Sequence, residues 1–90
     1  MGTIENQELG MKYFKLGDQC HVHGNYDEAE KYMLLAAENG IVNAMYNLGV
    51  LYGTQGRFSE AEKYYLQAVN KGYVAAMSNI GILWKCNEII

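Results

Sequence analysis

Residues 44–69 read AMYNLGVLYGTQGRFSEAEKYYLQAV, with tyrosines and small residues at intervals that suit a helix better than a strand. Met45, Leu48, Gly49 and Tyr52 step by three, one and three, which places them on one helical face. Gly53 and Gly56 weaken the pattern, and Gly56 can close the helix because glycine accepts positive φ without strain. Beyond it, Ala61, Tyr64, Tyr65 and Ala68 resume helical spacing until Gly72 ends the run. Ser59 with Glu62 has the form of a capping box, and Asp27 with Glu30 has it earlier in the chain. Small residues at Gly49, Ala61 and Ala68 let two helices approach closely, and Tyr52 and Tyr65 fill the wider gaps beside them. The stretch is the packing pattern of a helix, a tight turn and a second helix.

The same pattern recurs along the chain at a step of 32 residues. Gly17, Gly49 and Gly81 are in this register, as are Leu16, Leu48 and Ile80, and Cys20, Tyr52 and Trp84. The step also carries Gly24 to Gly56, Tyr26 to Phe58, Ala36 to Ala68 and Gly40 to Gly72. EAEKY at 28–32 returns at 60–64, and Ala44–Met45 returns at Ala76–Met77. A fixed period of this size signals stacked helical repeats. The reading predicts an all-α chain with five helices, near Ile4–His23, Tyr26–Asn39, Val42–Thr54, Ser59–Lys71 and Val74–Asn87.

The pattern LGVLYGTQGRFSEAEKYYLQAV resembles a tetratricopeptide repeat, with Leu48, Gly49, Tyr52, Ala61, Tyr65 and Ala68 at the signature offsets of that family. The junction AAENGIVNAM, residues 36–45, is similar instead to the related Sel-one-like repeats. The step of 32 is shorter than the ~34 usual for tetratricopeptide units, and no proline closes the unit. The resemblance implies helix-turn-helix repeats stacked as a short right-handed α-solenoid of about two and a half repeats. Residues 1–90 then form a single domain, with units near 11–42 and 43–74 and a half unit over 75–90.

The family implies a non-catalytic module that binds a partner protein or peptide on a concave face lined by the first helix of each unit. Lys15, Asp18, Asn43, Tyr46, Asn47, Val50, Ser78, Asn79 and Ile82 project from those helices. Asn47 and Asn79 share a register position, and such amides can bond the backbone of an extended peptide without reading its sequence. The expected partner-binding residues are Asn43, Tyr46, Asn47, Val50, Asn79, Ile82 and Trp84. A clamp for a carboxylate would draw on Lys15 and Lys85 alone and is incomplete. A structural alternative is a building block held in a larger assembly or homo-oligomer through the C-terminal helix. In that helix Met77, Ile80, Leu83 and Trp84 form an apolar face, with Trp84 as anchor. The face bearing Leu16 and Leu48 is expected to be covered by the following second helix.

No enzyme is read from the remaining residues. CHVH, residues 20–23, has zinc-ligand chemistry, but neighbours one and two apart on a helix diverge and only Cys86 could join them. Whether Cys20, His21 and His23 bind a metal is open. Glu28, Glu30, Glu60 and Glu62 read as caps and solvated helix charges, and no glycine-rich nucleotide loop is present. No catalytic, metal or cofactor-binding residue is assigned, and no cofactor is expected. The formal charge is −3, with no cluster of lysine or arginine, which argues against nucleic acid and anionic membranes as partners. The opening MGTIENQELG carries no signal-peptide pattern, and two cysteines are too few for a disulfide scaffold. An intracellular, cytoplasmic location is expected.

Overall fold

The computed structural model describes the backbone of residues 4–89 and the side chains of residues 6–82 and of Lys85. Five helices follow one another: α1 (Ile4–Val22), α2 (Tyr26–Glu38), α3 (Val42–Thr54), α4 (Phe58–Asn70) and α5 (Ala76–Ile89). No strand occurs among the described residues. The expected all-helical repeat architecture is therefore present, with each helix within two residues of its expected limits.

The turns between helices share one geometry. After α3, the Gly56 N–H donates to the Gly53 carbonyl at 3.1 Å and the Arg57 N–H to the Tyr52 carbonyl at 2.9 Å. With φ of 77° at Gly56, these are the two bonds of a Schellman motif, which satisfy carbonyls that a helix end would leave unpaired. The same pair of bonds closes the helices at Gly24, Gly40 and Gly72. A Cβ at Gly56 would meet nothing, so the glycine is there for its backbone angle and not for space.

The capping boxes expected at Ser59 and Asp27 do not form. The N-cap positions are Arg57 and Asn25, neither with a side-chain cap bond, and Ser59 and Asp27 lie inside the first turn. The physical reason is the brevity of the turn. At Asn25 and Arg57 the residue that ends the Schellman motif is also the N-cap of the next helix, and its carbonyl accepts the first helical bond. Ala61 donates to Arg57 at 3.0 Å, and Ala29 donates to Asn25 at 2.9 Å. Arg57 also pairs its guanidinium with Glu60 and lies 4.4 Å over the Tyr52 ring. Helix α5 begins at Ala76 rather than Val74, because Val74 belongs to a tighter turn in which Met77 N–H donates to the Val74 carbonyl at 2.9 Å.

The chain divides into two units, Met1–Ala44 and Met45–Ile90. In the first, α1 packs on α2 through Gly17, where an added Cβ would lie 3.0 Å from the Met33 side chain and 3.3 Å from the Ala29 carbonyl. Gly10 likewise leaves room for Ile41, and Tyr13 stacks on Tyr32 with centroids 6.2 Å apart. Ala29, Met33, Ala36, Ala37 and Ile41 are buried. Leu16 was expected to be covered by α2, yet it is 41% exposed, whereas Leu48 is fully buried. It is Gly17 that meets α2, and the next residue on a helix lies about 100° around the axis.

In the second unit, α4 packs against α3 at Gly49, where a Cβ would come within 2.5 Å of the Tyr65 ring. Tyr52 lies 5.7 Å from Tyr64, ring to ring. Met45, Leu48, Tyr52, Ala61, Tyr65, Ala68, Ala76 and Ile80 are buried. Of the apolar face read on the last helix, Ile80 is thus turned inward, whereas Met77 is exposed. Leu83 and Trp84, the other two members of that face, have side chains outside the described residues.

Candidate functional site

Helices α3, α4 and α5 of the second unit enclose a shallow groove of about 200 Å³. Val50, Gly53 and Thr54 line it from α3, Phe58 and Tyr65 from α4, and Asn79 and Ile82 from α5. None of these side chains is charged. The Thr54 hydroxyl donates back to the Leu51 carbonyl of its own helix at 2.7 Å, so that part of the wall presents mainly its methyl group.

One end of the groove is polar. The Asn79 amide donates to the Tyr46 hydroxyl at 3.1 Å and to the Tyr65 hydroxyl at 3.2 Å. Tyr46 lies 5.7 Å from Tyr65 and 5.0 Å from Tyr73, ring to ring, so the asparagine ties together a cluster of aromatic side chains. Burial raises the Tyr65 pKa above its ordinary value of 10.0; the neighbouring Tyr46 adds to the shift and the Asn79 hydrogen bond opposes it. Tyr65 therefore stays neutral at physiological pH, a polar but uncharged group beside an apolar groove.

The sequence-derived site residues fall in different places. Val50, Asn79 and Ile82 line the groove, and Tyr46 joins it through Asn79. Asn47 is half-buried on α3. Asn43 is exposed in the first turn of α3 and belongs to the other unit, Met1–Ala44. Trp84 has its side chain outside the described residues. Gly53, Thr54, Phe58 and Tyr65 were not singled out as site residues. A signal for this polar end was present in the repeat itself. At the step of 32, Tyr46, Tyr65 and Tyr73 replace Phe14, Met33 and Ile41. Three hydroxyls thus appear in the second unit where the first has apolar side chains.

The CHVH segment has local partners instead of a shared centre. His23 Nδ1 donates to the Gln19 carbonyl at 2.7 Å, His21 lies edge-on to Tyr26, and Cys20 Sγ is 3.9 Å from a Glu28 carboxylate oxygen. Among the described residues no three His, Cys, Asp or Glu side chains come together in a way that could hold a metal ion. No helix is long and apolar enough to cross a membrane among those residues.

Residues 42–70 match the tetratricopeptide repeat family, which generally serves as a protein-interaction module. The match covers α3, the Gly56 turn and α4, and meets the Sel-one-like junction only over residues 42–45. No curated protein and no solved structure matches the chain.

Proposed function

Taking as premise that residues 42–70 form a tetratricopeptide-type repeat, we propose that the chain is a non-catalytic module that binds a partner polypeptide in the α3–α5 groove. The observation that supports this reading most is the groove's chemistry: apolar walls, no charge, and one polar end held by Asn79. Such a surface favours an uncharged segment with an apolar side chain seated between Val50 and Ile82, and a backbone amide or carbonyl near the tyrosine hydroxyls. It offers nothing to a phosphate backbone, and the −3 formal charge of the chain disfavours nucleic acid and anionic membranes alike.

The test is selection from a displayed random-peptide library on the full chain, followed by titration of the selected peptides. Val50→Lys places a charge in the apolar wall, at a cost to a seated side chain of roughly 1–3 kcal/mol, which weakens binding about tenfold or more. Helicity should not change, because Val50 is exposed. Failure to select any peptide, or equal binding to wild type and variant, overturns the groove reading.

A further inference from the structure

The Asn79 amide has spent both of its donors inside the protein. A primary amide offers two N–H groups and one carbonyl oxygen, and a phenol offers one O–H and accepts at its oxygen. One Asn79 N–H goes to the Tyr46 hydroxyl at 3.1 Å and the other to the Tyr65 hydroxyl at 3.2 Å. Among the described residues these three side chains make no further hydrogen bond. What remains is the Asn79 carbonyl oxygen and one O–H proton on each tyrosine. The carbonyl oxygen still has surface, since no buried side-chain nitrogen or oxygen among the described residues lacks a partner.

Of the two hydroxyls, that of Tyr65 belongs to the groove. Tyr65 lines it together with Asn79 and is 3% exposed, whereas Tyr46 is half-buried behind them. The Tyr65 proton thus has no acceptor in the protein and little surface through which to find water. A nearly buried donor without an acceptor is costly, so an acceptor carried in by a partner is favoured. Burial also raises the Tyr65 pKa, which keeps that proton in place at physiological pH. The acceptor has to be neutral, because no cation lines the groove and a carboxylate would lose its water without gaining a counter-charge. The polar group next to an apolar side chain seated between Val50 and Ile82 is the partner's own backbone. At the step of 32 the chain has Phe14 and Met33 in place of Tyr46 and Tyr65, so the donor is peculiar to the second unit.

We infer that Tyr65 donates its O–H to a main-chain carbonyl of the bound segment, and that Asn79 is a positioning residue that holds this hydroxyl and donates nothing to the partner. The inference rests on the groove reading and departs from the sequence expectation that the Asn79 amide itself bonds the peptide. Its first test needs no peptide. In nitrogen-15 spectra of the full chain, both Asn79 side-chain amide protons should exchange slowly, and Tyr46→Phe or Tyr65→Phe should each free one of them. Fast exchange, indifferent to both substitutions, would mean that the amide is turned the other way and overturns the proposal. The second test uses a library-selected peptide remade with single backbone esters, each of which weakens one carbonyl acceptor. One ester should weaken binding to wild type about two- to tenfold and cost nothing further in Tyr65→Phe, a coupling that a merely structural tyrosine would not show. Asn79→Asp keeps the volume but draws both hydroxyl protons to its carboxylate, and should abolish the same ester effect; should it fail to fold, Tyr65→Phe carries the test alone. Amidating the peptide's C-terminus should leave affinity unchanged, and a tenfold loss would move the acceptor to a terminal carboxylate and overturn the proposal. A chain that selects no peptide overturns the groove reading and this inference together. A peptide lost with Val50→Lys but indifferent to every ester, or equally sensitive to the ester in Tyr65→Phe, overturns this inference alone.

Discussion

At Gly49 a single methyl group would press on the Tyr65 ring at 2.5 Å, and that ring is buried and hydrogen-bonded to Asn79, so it has little freedom to retreat. Gly49→Ala should therefore destabilise the fold. Overpacking costs about 1–3 kcal/mol, offset by at most about 1 kcal/mol from the better helix propensity of alanine. Gly81→Ala meets no atom of the described residues and should instead stabilise the protein by about 0.5–1 kcal/mol. Urea denaturation of both variants checks the opposite signs, and two changes of the same sign would mean that the register position does not set the contact. The equivalence of these glycines was legible in the sequence because the period is strict. Their difference was not, because it depends on what lies opposite each helix. The polar end of the groove was half legible: Asn79 and Tyr46 could be named, but not their pairing across 33 residues, and Tyr65, 14 residues from Asn79, read as packing.

Helix limits were the most legible feature, and glycine made them so. Gly24, Gly40, Gly56 and Gly72 all have positive φ and recur every half period. At Gly56 the added Cβ would be unobstructed, so the effect of substitution isolates the backbone term. Gly56→Ala should cost about 1–2 kcal/mol, the penalty for holding an L-residue in the left-handed region. Gly56→Asn should cost less, since asparagine is the other residue that commonly ends helices in this way. Thermal unfolding of the two variants ranks them; an alanine variant as stable as wild type would show that the turn has rearranged. The N-termini were less legible. Ser59 and Asp27 carry capping-box spacing, but a turn that runs directly from one helix into the next gives the N-cap to Arg57 and Asn25. Where the turn bonds dominate, a local cap signal is overridden.

Stability against pH is a property of the whole chain, yet one side chain in the second unit should leave a separable mark on it. Tyr65 is buried, and its phenol is held neutral by that burial above the ordinary value of 10.0. In the unfolded chain the same phenol ionises near 10.0. Below that pH both states keep the proton and the linkage is silent. Above it the unfolded chain releases its proton first, so stability falls as pH rises from 10.0 through the raised folded value. The useful quantity is the difference between wild type and Tyr65→Phe, which isolates this one phenol. On the neutral side of the window the variant should be less stable by about 0.5–1.5 kcal/mol, the net worth of the lost hydrogen bond with Asn79. As pH climbs past 10.0, wild type loses the Tyr65 contribution and the variant, lacking the phenol, does not. The stability gap should narrow and can reverse. Urea titrations of both proteins across this range decide the matter: a gap that stays constant would mean that Tyr65 ionises as readily in the fold as outside it, and that the polar end of the groove is open to water.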